Sequence, residues 1–152
     1  MFIALERDFA DFRSWGSLPV TTLPARGNTH AEGQHRVFIN ALPPAGAPPF
    51  PVGTLIVKEV RAPEPDQNRL FAMAKRGADF NAQGARGWEW FELVERSDGS
   101  PGILWHGIDA PSGEQYSADP HGTCNNCHQL AEENDFVQST GLSLARLTAQ
   151  VH

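Results

Sequence analysis

The run Thr54-Leu55-Ile56-Val57-Lys58-Glu59-Val60-Arg61 divides at the two-residue period of a strand. One face carries Thr54, Ile56, Lys58 and Val60, the other Leu55, Val57, Glu59 and Arg61. Both faces are largely apolar, as in a strand covered on each side. Before it, His35–Asn40 is a shorter strand candidate, joined through a Pro/Gly/Ala segment at 42–53 that suits an extended loop. After it come Leu70–Lys75 and Trp88–Val94, the latter dense in sheet-favouring aromatics. Ser97-Asp98-Gly99-Ser100-Pro101-Gly102 is a turn signal that leads into a last strand at Ile103–Gly107.

The ends of the chain read differently. Leu5, Phe9, Phe12 and Trp15 recur at helical spacing, predicting an amphipathic N-terminal helix ended by Gly16 and Pro19. Residues 21–34 and 109–122 read as loops. Helical pattern returns at His128–Glu133 and at Leu144, Leu147 and Val151. The expected fold is α+β in one domain over residues 1–152: a helix, an antiparallel sheet of about five strands, and helical C-terminal segments.

Composition narrows the function. At 152 residues the chain is long enough for one real core, and 40% apolar with 20% charged residues is ordinary for a globular domain. The net charge of −6, with no basic stripe, argues against nucleic-acid binding. No apolar stretch approaches the roughly 20 residues of a membrane span. Phe2-Ile3-Ala4-Leu5 is followed at once by Glu6, Arg7 and Asp8, unlike a signal peptide. That leaves a mature or engineered form, or a protein that stays in the cytoplasm.

The two cysteines stand three apart in Cys124-Asn125-Asn126-Cys127-His128, the C-x-x-C-H pattern of covalent haem attachment. On a helical turn both thiols can add to haem vinyl groups, and the following imidazole lies beneath the iron. Two other uses of the motif stay open. A structural zinc site commonly needs a second ligand pair, which this chain lacks; a redox dithiol would want a βαβ setting and no histidine. A disulfide here would close too small a loop to constrain the unfolded chain.

With heme c bound, Cys124 and Cys127 hold the porphyrin and His128 is the iron ligand. The sixth position is less defined. Met73 lies in a strand and reads as core or ligand, while His30, His35, His106 and His121 are scattered and read as surface or capping residues. An open distal site suits exogenous ligands or substrate. Electron-transfer cytochromes that carry the motif near the N-terminus are mainly helical, and cytochromes c′ place it C-terminally in a four-helix bundle. A C-terminal motif behind a hundred residues of sheet fits neither.

Arg36-Val37-Phe38-Ile39, Phe50-Pro51-Val52-Gly53-Thr54-Leu55-Ile56-Val57-Lys58-Glu59, Gly87-Trp88-Glu89-Trp90-Phe91, the C-x-x-C-H motif and Asn134-Asp135-Phe136-Val137 occur in that order. In this ordered series the chain resembles the cytochrome P-460 family, which includes the cytochromes c′-beta, from about residue 35 to 137. The resemblance implies a mainly antiparallel β fold, a homodimer and a five-coordinate haem with a proximal histidine. Members of the P-460 type oxidise hydroxylamine and bind nitric oxide, and a lysine at the place of Lys58 bonds to the macrocycle. The c′-beta type binds nitric oxide in a phenylalanine-lined pocket and is not an established oxidase.

The resemblance makes Lys58 and Arg36 the candidate catalytic residues, with Lys58 also binding cofactor. Lys58 is the only charge on its strand face, and burial would lower its pKa and free a nucleophilic amine; alternatively it snorkels or pairs with Glu59. Arg36 would orient a nitrogen ligand from the distal side, or form a surface salt bridge. Phe50 belongs to the distal wall or to the core. Trp88, Trp90 and Trp105 read as core or haem packing, and Glu114 and Asp119 as solvated loop acids. Three functions follow: an oxidoreductase acting on hydroxylamine or a related small nitrogen species, a nitric oxide binding module without turnover, and an electron carrier. Partners would be a small nitrogenous ligand and a redox protein. Thioether attachment is normally completed outside the bacterial cytoplasm, which points to the periplasm.

Overall fold

A computed structural model describes residues 1–23, 30–44, 49–112 and 123–149 of the chain. Its centre is a seven-stranded, open antiparallel sheet. The strands are β1 (Gly16–Ser17), β2 (Thr21–Leu23), β3 (Gly33–Ile39), β4 (Leu55–Arg61), β5 (Arg69–Lys75), β6 (Trp88–Glu95) and β7 (Pro101–Gly107). From β3 to β7 the sheet is a meander, each strand beside the next in sequence, and β1 and β2 both pair with the free edge of β3. All five expected strands are present, with bounds moved by at most two residues. The two extra strands have two and three residues and little apolar alternation, so residues 21–34 read as loop in sequence.

Register decides which side chains share a face. Val37 stands opposite Lys58, and Lys58 opposite Phe71; Arg36 stands opposite Glu59. One face therefore carries Phe38, Leu55, Val57, Leu70, Phe91 and Leu93, and the N-terminal segment covers it with Ala4, Phe9 and Phe12. Phe9 meets Phe91 and Phe12 meets Phe38, each with ring centres 5.2 Å apart, the tilted geometry that adds to area burial. The other face carries Ile39, Ile56, Met73, Trp88 and Trp90, covered by Phe50, Phe136, Val137, Leu142 and Leu144. The doubly apolar β4 is sandwiched between these two layers.

The expected N-terminal helix is instead two short 3₁₀ turns, Glu6–Phe9 and Phe12–Ser14. The Asp8 carboxylate accepts the Leu5 N–H at 2.7 Å and the Ser14 hydroxyl donates to the Asp11 carbonyl at 2.7 Å. The first bond closes a capping box that starts the first turn, the second competes with helix continuation, and Asp11 leaves the helical region between the turns (φ −112°, ψ 21°). Phe9 and Phe12 still reach the core, whereas Leu5 is exposed. The fold is thus mostly antiparallel sheet with a few short helices. The helices are α1 (Cys124–His128), running into a 3₁₀ segment at Gln129–Asn134, and α2 (Leu144–Ala149). His121, Glu114, Asp119 and Val151 lie outside the described residues. No helix among the described residues is long and apolar enough to cross a membrane.

Candidate haem site

Helix α1 is only five residues long and owes its position to its neighbours. The Thr123 hydroxyl caps it, accepting the Asn126 N–H at 3.3 Å. Asn125, between the two cysteines, clamps it to the sheet. Its Oδ1 accepts from Asn81 Nδ2 at 2.7 Å, Trp90 Nε1 at 2.9 Å and the Ala85 N–H at 3.2 Å, while its Nδ2 donates to Asn81 Oδ1 at 3.0 Å. A Cβ on Gly84 would stand 2.4 Å from this amide, so residue 84 must be glycine for the clamp to close. Asn125 is a functional side chain that motif reading passes over, because the pattern leaves its identity free.

The geometry at His128 separates its two ring nitrogens. Nδ1 lies 2.6 Å from the Phe136 carbonyl; a carbonyl only accepts, so Nδ1 carries the proton and Nε2 keeps its lone pair. A metal-ligating histidine needs this arrangement. Burial, more than any charge, lowers the His128 pKa, and the Trp90 ring packs on the imidazole with centres 4.6 Å apart. The carbonyl is aimed by two consecutive left-handed residues, Asp135 (φ 53°) and Phe136 (φ 66°). Lys75 Nζ donates to Asp135 Oδ1 and Oδ2 at 2.7 and 2.8 Å, the Phe50 N–H to Oδ2 at 2.9 Å, and Trp88 Nε1 to the Asp135 carbonyl at 2.8 Å. Asn134 stitches the next stretch, donating to the Val137 carbonyl and accepting the Leu144 N–H.

Cys124, Cys127, His128 and Lys58 line one cavity of about 240 Å³, together with Val37, Ile56, Phe71, Met73, Trp90, Trp105 and His30. Two wider clefts of about 720 and 620 Å³ lie elsewhere, but neither is lined by a thiol or an imidazole. Chemistry, not size, selects the smaller one. Both cysteines are free thiols, half-buried, and burial pushes the Cys124 thiol up to about 12. Burial likewise brings Lys58 down to about 8, so its neutral amine is accessible near neutral pH. Two thiols, an imidazole with a directed lone pair and an apolar, aromatic wall form a donor set that fits a porphyrin.

A scan of protein families matches residues 10–139 to cytochrome P460. The chain belongs to the cytochrome P460 family. Membership extends over most of the chain and makes it a haem protein. No curated protein and no solved structure gives a significant match.

Against the cytochrome P460 expectation, the structure brings Lys58 to the cysteines and His128 but leaves Arg36 out. Arg36 lies on the N-terminal face of β3, where its Nη1 donates to Ser17 Oγ at 3.1 Å. Strand alternation is the reason: Val37, its neighbour, points into the cavity. Met73 is a buried core residue that also lines the cavity, and Phe50 is core, packed on Trp88. Trp90 and Trp105 line the cavity and Trp88 does not. His106 faces the opposite side, bonded to Glu89 at 2.7 Å and stacked on Phe91. His30 and His35 read in sequence as surface or capping histidines; instead His30 lines the cavity and His35 is buried, while Phe71 is not singled out by sequence and is visible only once it is paired with Lys58.

Proposed function

We propose that the chain is a mono-haem c-type cytochrome that oxidises hydroxylamine or a related small nitrogen species. Cys124 and Cys127 attach the porphyrin by thioethers, and His128 binds the iron through Nε2. The convergence of Cys124, Cys127, His128 and Lys58 on one cavity carries this reading. A haem held by these residues would supply redox-active iron for a small nitrogenous ligand.

The chain's own part is positional. Asn125 holds α1 against β6, and the Phe136 carbonyl keeps the His128 proton on Nδ1. Lys58 and Phe71, side by side on β4 and β5, present an amine and an aromatic wall to the cavity. Lys58 is the residue for the additional bond to the macrocycle. Arg36 has no part in this reading. Periplasmic maturation follows from thioether attachment; the resemblance adds a homodimer, and the charge of −6 suits a basic redox partner.

The aromatic wall favours a second reading, nitric oxide binding without turnover, since Phe71 stands directly beside Lys58 and the buried carboxylate one strand further along that face, Glu92, is taken up by Trp105 Nε1 at 2.8 Å. Protein matured in a host competent for c-haem attachment decides between them. It should gain the mass of one haem, lost in Cys124→Ser/Cys127→Ser. It should show a red-shifted ferrous Soret band, lost in Lys58→Met, and hydroxylamine should reduce an added electron acceptor. Haem mass without turnover would leave gas binding; no haem mass would end both readings.

A further inference from the structure

A thin wall separates the cavity of Cys124, Cys127 and His128 from the wide cleft of about 720 Å³. Val137 and Gln138 line the cavity, whereas Asp135 and Phe136, immediately before them, line the cleft. In the same way His128 lines the cavity and Gln129 the cleft. The wall is bonded as well as thin. Phe136, whose carbonyl takes the His128 Nδ1 proton at 2.6 Å, stands one hydrogen bond from the candidate iron ligand and is itself a cleft residue. The Asp135 carbonyl accepts from Trp88 Nε1 at 2.8 Å, and Trp88 packs on Phe50, another cleft residue, with ring centres 6.0 Å apart.

The cleft suits a protein surface better than a small polar molecule. At its floor Lys75 Nζ gives its three hydrogen bonds to the two Asp135 oxygens and the Arg86 carbonyl, so that cation is spent and the pair is neutral. One wall is apolar, formed by Pro49, Phe50, Pro51 and Val52, the last 56% exposed. The rim is acidic. Glu132 lines the cleft, Glu133 and Asp79 adjoin lining residues, and all three are exposed, against Arg86 as the exposed base in the lining. An apolar centre inside a charged rim is how transient protein contacts are built. Electron transfer weakens steeply with distance, and a protein seated in this cleft touches the very residue that bonds His128. We infer that the cleft docks a one-electron acceptor protein with a basic face, and that electrons leave by way of His128 and Phe136. One electron passes to the oxidised acceptor, which is reduced as the haem iron goes from ferrous to ferric; no bond forms or breaks and no proton moves. Redox encounters bury less than about 1,200 Å² in total, within the scale of one cleft and its rim, and opposite charge speeds them. The inference rests on the haem reading above and supplies its electron exit.

The test uses the haem-loaded protein, reduced beforehand with dithionite so that hydroxylamine turnover is not needed. Its reoxidation by ferric mitochondrial cytochrome c, a basic one-electron acceptor protein, is followed by stopped-flow absorbance. The wild-type rate should fall as ionic strength rises. Glu132→Lys/Glu133→Lys should lower the second-order rate at low salt by at least about tenfold and flatten that salt dependence. Glu64→Lys/Asp66→Lys makes the same change of charge on the exposed hairpin between β4 and β5 and should alter the rate by less than about threefold. Ala82→Trp, at an exposed position in the cleft lining, should slow transfer with no change of charge. Each variant should keep the wild-type ferrous spectrum, since none touches the haem cavity. Equal losses in the two charge reversals, or a wild-type rate in Ala82→Trp, would overturn the proposal while leaving Cys124, Cys127 and His128 in their roles. So would a change of oligomeric state in the cleft variants, which would make this face a contact between copies of the chain. Absence of haem from the purified protein would remove the parent reading and this one with it.

Discussion

Asp135→Asn tests how the His128 carbonyl partner is held. Asparagine has nearly the shape of aspartate and is among the few non-glycine residues at ease at the left-handed φ of 53°. The substitution therefore spares the backbone and removes the charge. What remains is the Lys75 ammonium, its side chain only 7% exposed, facing a neutral amide, the Arg86 carbonyl at 3.1 Å and the Trp88 ring at 4.9 Å. Removing one member of a buried ion pair costs about 3–5 kcal/mol. The surviving amide oxygen still accepts from Lys75, so the lower end, about 3 kcal/mol, is expected. Urea unfolding followed by circular dichroism should show this as a lower midpoint at unchanged slope. The companion Lys75→Met/Asp135→Asn leaves no buried charge and should recover at least about 1 kcal/mol over the sum of the single changes. In the haem-loaded protein a loosened Phe136 carbonyl makes His128 a weaker donor, and the reduction potential should rise. An Asp135→Asn midpoint equal to wild type, or strictly additive single changes, would refute the view that this pair fixes the loop.

Three further outcomes follow from the same geometry. Lys58→Met should stabilise the haem-free protein at pH 7. The folded pKa near 8 lies below the unfolded value, so protonated Lys58 costs stability at lower pH; the gain should shrink between about pH 8 and 10.5, read from urea midpoints across that range. Asn125→Ala strands the donors of Asn81, Ala85 and Trp90 and, at about 1–3 kcal/mol per unmet buried donor, should lower stability by about 3 kcal/mol together with haem incorporation per chain. Arg36→Gln, on the far face of the sheet, should change stability by less than about 1 kcal/mol and leave the haem spectrum and hydroxylamine-dependent reduction unaltered.

Much of the sheet was legible because β4, β5 and β6 carry enough branched and aromatic residues to declare themselves without help from tertiary context. The Ser97–Gly102 turn was legible for a similar reason: Asp98 Oδ1 takes the Ser100 N–H and hydroxyl at 2.9 and 2.6 Å, and Gly99 supplies the left-handed φ of 81°. The N-terminal segment was half legible. Phe9 and Phe12 are spaced for burial and are buried, but hydrophobic spacing does not distinguish an α-helix from two 3₁₀ turns when Asp11 leaves the helical region between them and the Ser14 hydroxyl bonds its carbonyl. β1 and β2 form on an edge that only the folded β3 provides, so no local signal marks them.

The site divides along the same line. Cys124, Cys127 and His128 fall within five residues, and their spacing points to haem attachment without help from the fold. Lys58 and Arg36 needed a register, which turns on one residue: sliding β3 by one position against β4 would carry Arg36 into the cavity and Val37 out of it. The observed pairing of Val37 with Lys58 and Arg36 with Glu59 sends adjacent charges to opposite fates. Glu59 joins the guanidinium groups of Arg13 and Arg61 at 2.9 and 3.1 Å, where its charge is compensated, whereas Lys58 enters an apolar cavity with its charge opposed by burial. β4 thus keeps compensated charge on its packing face and an activated amine on its chemical face. The two faces are covered differently: the N-terminal turns seal the first, whereas the C-terminal layer leaves a cavity on the second, where Lys58 stands. Thinning that layer at Val137, which lines the cavity beside Lys58, should hydrate Lys58 and return its amine toward an ordinary lysine, so the packing of the segment after the motif bears on the state of that amine.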